Sequence, residues 1–132
     1  GIRKINHIGI AAKSLEQALK LYEDVLGLKV AGIQDIPLQM QRSAFIPLGE
    51  CGLEIMEPTD PAGPVGRFIA RHGEGLHHIS LEVDDLDALS EKLRQKDIRL
   101  MFPEAVEFAG LKINFVHPKS MNGVLIELIQ PL

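Results

Sequence analysis

Two histidines and two glutamates recur in this chain in the same order and at nearly the same spacing. His7 precedes Glu54 by 47 residues and His78 precedes Glu127 by 49. The segments around them repeat as well. HIGIAAKSLEQALKLYEDVL (7–26) is echoed by HISLEVDDLDALSEKLRQKD (78–97), and LEIMEP (53–58) by LIELIQP (125–131). An internal repeat fixes architecture before any single residue is interpreted. Here it also sets four metal-competent groups at equivalent points of two modules. In LEIMEP, Glu54 falls opposite Leu53 and Ile55. In VLIELIQ, Glu127 opposes Ile126 and Leu128. A carboxylate inside such an apolar run loses solvation worth several kcal/mol unless it is paired or bound to a cation. Two such carboxylates, each matched by an equivalent histidine, point to a divalent metal site of two imidazoles and two carboxylates. That N/O set suits Co²⁺, Ni²⁺, Mn²⁺, Fe²⁺ or Zn²⁺ rather than Ca²⁺ or Cu⁺. Four protein ligands leave two positions of an octahedron open, as catalysis requires and a closed structural site does not.

The elements that must position these groups follow from periodicity. Ile5–Ala11 alternates as a strand with His7 and Gly9 on one face. Ser14 and Gln17 form a capping box before a helix of about three turns whose apolar residues are Leu15, Ala18, Leu19, Tyr22 and Leu26, and Gly27 stops it. An extended piece at 29–33 and strands at 42–48 and 52–57 complete a βαβββ module over about residues 4–58. A proline-rich linker, about 59–75, carries a short helix from Val65 to Arg71, with Pro64 near its start and Gly73 as its stop. The second module, about 76–131, repeats the order: a strand at 77–83, a helix at 85–96, and strands near 98–101, 111–116 and 124–129. The fold class is α+β: two βαβββ modules forming a curved mixed sheet with a metal-binding cleft, in one domain. His77 and His78 face opposite ways on their strand, and the alignment of HISL with HIGI selects His78 as the ligand. His77 is then a packed histidine, and His72 and His117 are loop residues.

Composition bounds the function. The chain has 132 residues, 45% of them hydrophobic and 24% charged, with a net charge of −4 and dispersed basic residues, which disfavours nucleic-acid binding. No apolar run is long enough for a bilayer. Cys51 is the only cysteine, so an intramolecular disulfide is excluded and a reducing compartment is expected, either the cytoplasm or a mitochondrial matrix reached through a removed presequence. The absence of tryptophan and the single tyrosine also argue against an aromatic-lined, metal-free drug-binding cleft.

Through HIGIA, LEIMEP, HHISLEVDD and VLIELIQP the chain resembles the vicinal oxygen chelate (glyoxalase) superfamily. Through RHGEGLHHISLEVDD (71–85) and INFVHPKSMNGVLIEL (113–128) it is similar, within that superfamily, to the methylmalonyl-CoA epimerases. The resemblance implies His7, Glu54, His78 and Glu127 as ligands of one divalent metal, commonly cobalt, in a homodimer that acts on an acyl-CoA. It also implies interconversion of the 2R and 2S forms of methylmalonyl-CoA by α-proton abstraction through a metal-stabilised enolate. Glu127 is then expected as an acid/base group and Lys119, in the HPKS turn, as a contact for a substrate anion. The alternatives are a glyoxalase I-like lactoylglutathione lyase, disfavoured by the HPKSMNG turn, and a non-catalytic binding protein of the same fold. Glu54 stands where epimerases often carry Gln. Ser43 falls near the position of a second catalytic Glu, and a serine hydroxyl is a poor base.

Overall fold

The computed structural model describes residues 1–132. The chain divides into two compact units, His7–His77 and a second made of Gly1–Asn6 with His78–Leu132. Each unit has the βαβββ order, and the first strand, β1 (Ile2–Ala11), contributes to both.

In the unit His7–His77, β1 pairs in parallel with β4 (Cys51–Pro58), β4 antiparallel with β3 (Gln41–Leu48), and β3 antiparallel with β2 (Gly32–Ile36). The alternation of side chains sorts these strands into two faces. Ile10, Ala44, Ile46, Leu53 and Ile55 pack with Ala12, Leu15, Ala18, Leu19 and Tyr22 into a core beneath helix α1 (Leu15–Leu19). His7, Gly9, Ser43, Phe45 and Glu54 are left on the other face. Ser14 caps α1, its Oγ accepting from the Gln17 N–H at 3.2 Å. Glu57 Oε1 accepts from the Leu15 N–H at 3.2 Å and brings negative charge to the helix N-terminus, where the dipole favours it. Helix α2 (Pro64–His72) starts on a proline at N1 and places Val65, Phe68 and Ile69 against Ala11 and Met56.

The second unit orders its strands β1, β5 (Gly75–Val83), β8 (Ile126–Pro131), β7 (Leu111–Val116) and β6 (Val106–Phe108). Leu81, Val83, Val116, Ile126 and Leu128 form its core with Leu86, Leu89 and Leu93 of helix α3 (Leu86–Gln95). Asp85 caps α3 through the Ala88 N–H at 3.0 Å. Gln130 Oε1 accepts from the Leu86 N–H at 2.8 Å, the counterpart of the Glu57 contact in the other unit. Lys112 Nζ lies 2.7 Å from Asp87 Oδ2, and that carboxylate raises the lysine above its ordinary range. No helix is long and apolar enough to cross a membrane.

Three elements differ from the sequence reading. The first helix is α-helical only to Leu19 and continues as a π-helical stretch, Lys20–Val25, in which the Leu26 N–H reaches back five residues to the Leu21 carbonyl at 2.9 Å. Apolar spacing does not distinguish these two helical pitches over so short a length. The piece placed at 29–33 forms its strand at Gly32–Ile36, because pairing starts where Gly32 meets Phe45. The strand placed near 98–101 is reduced to a bridge between Leu100 and Val116. Pro103 follows closely and cannot donate to a ladder, and Val106–Phe108 takes the outer position instead.

Gly66 shows where packing overrides propensity. Alanine in a helix interior usually gains about 0.5–1 kcal/mol over glycine. A Cβ at Gly66 would stand 2.7 Å from both Cα and O of Pro61 and 2.8 Å from the Asp60 carbonyl, all backbone atoms that cannot yield cheaply. Gly66→Ala is therefore expected to destabilise the fold by about 1–3 kcal/mol in urea denaturation, the opposite sign to propensity.

Candidate metal centre

Each unit builds one half of the candidate set in the same way. In the first, β1 carries His7 and the adjacent β4 carries Glu54, whose Cα is in register with Gly9. His7 Nε2 lies 3.4 Å from Glu54 Oε1, and both side chains are largely buried. In the second, β5 carries His78 and the adjacent β8 carries Glu127, in register with Ser80. His78 Nε2 lies 3.5 Å from Glu127 Oε1, with the two side chains 5% and 10% exposed. The parallel β1–β4 and β5–β8 pairings are what bring each histidine to a glutamate tens of residues away. A one-residue slip in either would turn the carboxylate into the core.

The histidines are fixed by a second, matching device. Phe45 is in register with Glu54, and its ring meets His7 edge-on at 6.5 Å and 83°. Phe115 is in register with Glu127, and its ring meets His78 edge-on at 6.4 Å and 83°. The sequence reading missed these two phenylalanines. The signal available to it was the parallel between SAFI (43–46) and INFV (113–116), each with the aromatic residue third. Phe102 stacks edge-on against Phe115 at 6.0 Å, and Asn114 holds Phe102 by both its N–H and its carbonyl at 3.1 Å.

The N···O separations test the fit of a cation. Two donors each about 2.0–2.2 Å from one ion stand roughly 2.9–3.5 Å apart for cis-octahedral to tetrahedral angles. The pairs at 3.4 and 3.5 Å meet that condition and are longer than ordinary N–H···O bonds. Neutral imidazole and carboxylate are the donors a borderline divalent ion takes.

The other candidates lie as follows. His77 packs edge-on against Phe68 at 4.8 Å, His72 contacts the same ring at 5.0 Å, and His117 Nδ1 accepts from the Lys119 N–H at 3.1 Å. His77 and His117 have the local roles expected of them, whereas His72, expected in a loop, is the last residue of α2 and packs on Phe68 one turn back. Lys119 sits exposed in the short 3-10 turn Pro118–Ser120. Ser43 is buried on the face that carries Phe45, and its Oγ accepts from Gln41 Nε2 at 2.8 Å. That bond leaves the hydroxyl proton to donate elsewhere, so Ser43 is arranged as a donor rather than a base. Ser80 is fully buried, and its Oγ has no hydrogen-bond partner. A hydroxyl left in that state costs about 1–3 kcal/mol.

Residues 6–115 match the family described as the Glyoxalase/Bleomycin resistance protein/Dioxygenase superfamily. The mitochondrial methylmalonyl-CoA epimerase of Mus musculus is 34% identical over 96% of this chain and 72% of its own length. The ethylmalonyl-CoA/methylmalonyl-CoA epimerase of Cereibacter sphaeroides is 33% identical over 98% of each chain. Among solved structures, a variant of Streptomyces coelicolor methylmalonyl-CoA epimerase in complex with 2-nitronate-propionyl-CoA superposes with a TM-score of 0.93 at 32% identity, covering 99% of this chain and 96% of its own.

If the aromatic edge orients His78, the two rings are energetically coupled. In denaturant melts of the metal-free protein, Phe115→Leu and His78→Ala are expected to be non-additive by about 0.5–1.5 kcal/mol. Simple additivity would mean that Phe115 only fills space.

Proposed function

We infer the function of this chain from its family: it belongs to the glyoxalase/bleomycin resistance protein/dioxygenase superfamily and, within it, to the methylmalonyl-CoA epimerases. It is an isomerase that interconverts (2R)- and (2S)-methylmalonyl-CoA. We propose that His7, Glu54, His78 and Glu127 together hold one divalent metal ion, Co²⁺ by preference, with Ni²⁺, Mn²⁺, Zn²⁺ and Fe²⁺ also compatible with the donor set. We propose further that the working form is a homodimer. The observation that carries the metal assignment is the duplicated device of a strand-borne histidine 3.4–3.5 Å from a glutamate on the next strand and edge-on to the phenylalanine opposite that glutamate.

The hydrogen to be moved lies on a carbon between a thioester carbonyl and a carboxylate. A bound divalent ion supplies Lewis acidity that makes such a hydrogen easier to remove. The chain supplies the proton acceptor and the setting. Glu127 takes the α-proton, and the electron pair it leaves delocalises into the thioester carbonyl. Epimerisation is complete when a proton returns from the opposite side. Burial among Phe115 and His78 keeps water from competing with the carboxylate. Ser43, arranged as a donor by Gln41, is no match for Glu127 as a base. The two faces of the carbon are thus served by unequal groups, and exchange of the α-proton with D₂O should differ in rate between the two epimers. We propose that Lys119, exposed and cationic, contacts an anionic group of the acyl-CoA, a reading supported by its free charge in the turn Pro118–Ser120.

Two measurements test the assignment. Glu127→Gln keeps the shape of the side chain and should suppress α-proton exchange by about two orders of magnitude or more, the reach of a positioned general base. Near-normal exchange with metal still bound would move the base elsewhere. Lys119→Ala should raise KM for the acyl-CoA severalfold while kcat stays close to wild type. The rise should shrink as salt is added, because an exposed charge contact is screened.

A further inference from the structure

The two modules differ at one position beside their carboxylates. Counting 71 residues from His7 to His78 carries Gly9 onto Ser80. Gly9 is the register partner of Glu54, and Ser80 is the register partner of Glu127. Register partners on neighbouring strands project from the same face and stand roughly 4.8 Å apart. Alternation along β5 confirms the side, since Leu81 and Val83 enter the core under α3 while Ser80 shares the face of His78. Glu127 therefore has a hydroxyl rising beside it, and Glu54 has no side chain at all in that place.

Ser80 has no structural employment. Its Oγ is fully buried without a hydrogen-bond partner, whereas Gln41 and Ser43 bond to each other and Asn114 bonds to both backbone groups of Phe102. Alanine would fill the space without the loss of hydration that a buried hydroxyl suffers. The hydroxyl can take any of three staggered positions about χ1, and a carboxylate on the adjoining strand is within the sweep of such a rotor. An ionised carboxylate has roughly four acceptor positions, so a donor from Ser80 adds to the contact with His78 and does not compete with it.

We propose that Ser80 is a positioning residue for proton transfer: in the working enzyme its hydroxyl donates to Glu127 and fixes the orientation of the carboxylate that moves the α-proton. This rests on the reading of Glu127 as the base given above. The replacement of Gly9 by Ser80 across the repeat is then what assigns proton transfer to Glu127 and leaves Glu54 without it.

The test uses the metal-loaded full chain and the variants Ser80→Ala, Ser80→Gly, Ser80→Thr, Glu127→Gln and Ser80→Ala with Glu127→Gln. Steady-state turnover, α-proton exchange with D₂O from each epimer, metal content per chain and the thermal midpoint of the metal-free protein are measured. Ser80→Ala and Ser80→Gly are expected to lower kcat about 10–50-fold with KM within about threefold, and Ser80→Thr to recover most of that loss. Metal content should be unchanged, and the metal-free midpoint of Ser80→Ala should be no lower than wild type, since an unbonded buried hydroxyl has been removed. The double variant should be no slower than Glu127→Gln, because Ser80 acts only through that carboxylate. Turnover within twofold of wild type for Ser80→Ala, while Glu127→Gln is inactive, overturns the role of Ser80 and leaves Glu127 as base. Near-normal exchange in Glu127→Gln overturns both. A fall in kcat that tracks lost metal or a lowered midpoint, or one that multiplies with the Glu127→Gln effect, also overturns it by making Ser80 structural or independent of Glu127.

Discussion

A carboxylate in the middle of a strand otherwise built for a core is the constraint on which this structure turns. Glu54 has Leu53 and Ile55 as neighbours, and Glu127 has Ile126 and Leu128. Left alone in such surroundings an ionised carboxylate costs several kcal/mol. The chain meets the cost by period-two alternation, which sends the apolar neighbours under a helix and the carboxylate to the opposite face beside a histidine. A single choice of register in each parallel pair settles both the core and the site, so the site cannot be lost by slippage without also losing the core.

Supporting contacts repeat with the same economy. Three residues beyond each glutamate, Glu57 or Gln130 reaches the first N–H of its module's helix, at 3.2 and 2.8 Å. The strand that carries the carboxylate therefore also anchors the helix covering its other face. The phenylalanine opposite each glutamate closes the arrangement by meeting the histidine with its edge, at nearly equal distance and angle in the two units. Histidine, glutamate, phenylalanine and helix cap form one linked set, made twice.

Departures from the repeat carry chemistry that the repeat itself cannot. Two identical halves would present the substrate with equivalent carboxylates, whereas epimerisation begins with the removal of one proton from one side. Ser80 against Gly9, and the Gln41–Ser43 pair against Leu111 and Ile113, make the halves chemically unequal while the backbone stays matched. The buried Gln41 amide donates to the Ser43 hydroxyl, so the inequality is made with neutral, hydrogen-bonded groups and does not demand a charge inside the sheet.

The sequence by itself determined the duplicated βαβββ order, the helix cap at Ser14, and the choice of His78 over His77 as the ligand candidate. Each of these is written in local spacing: a period of two, a period of 3.6, or an offset near 71 between matching residues. It also determined the four ligand candidates, since a glutamate between apolar strand residues stands out wherever the strand lies. Only the tertiary structure decided that α1 gives way to a π-helical turn after Leu19, that Val106–Phe108 rather than 98–101 forms the outer strand, and that Phe45 and Phe115 bear on the histidines. It alone left the Ser80 hydroxyl buried and unbonded beside the strand of Glu127. The helical pitch was hidden because apolar spacing cannot resolve it over so few residues; the other outcomes depend on which residue of one strand lies against which residue of another, and a pairing between distant segments has no signature in the spacing of either segment alone.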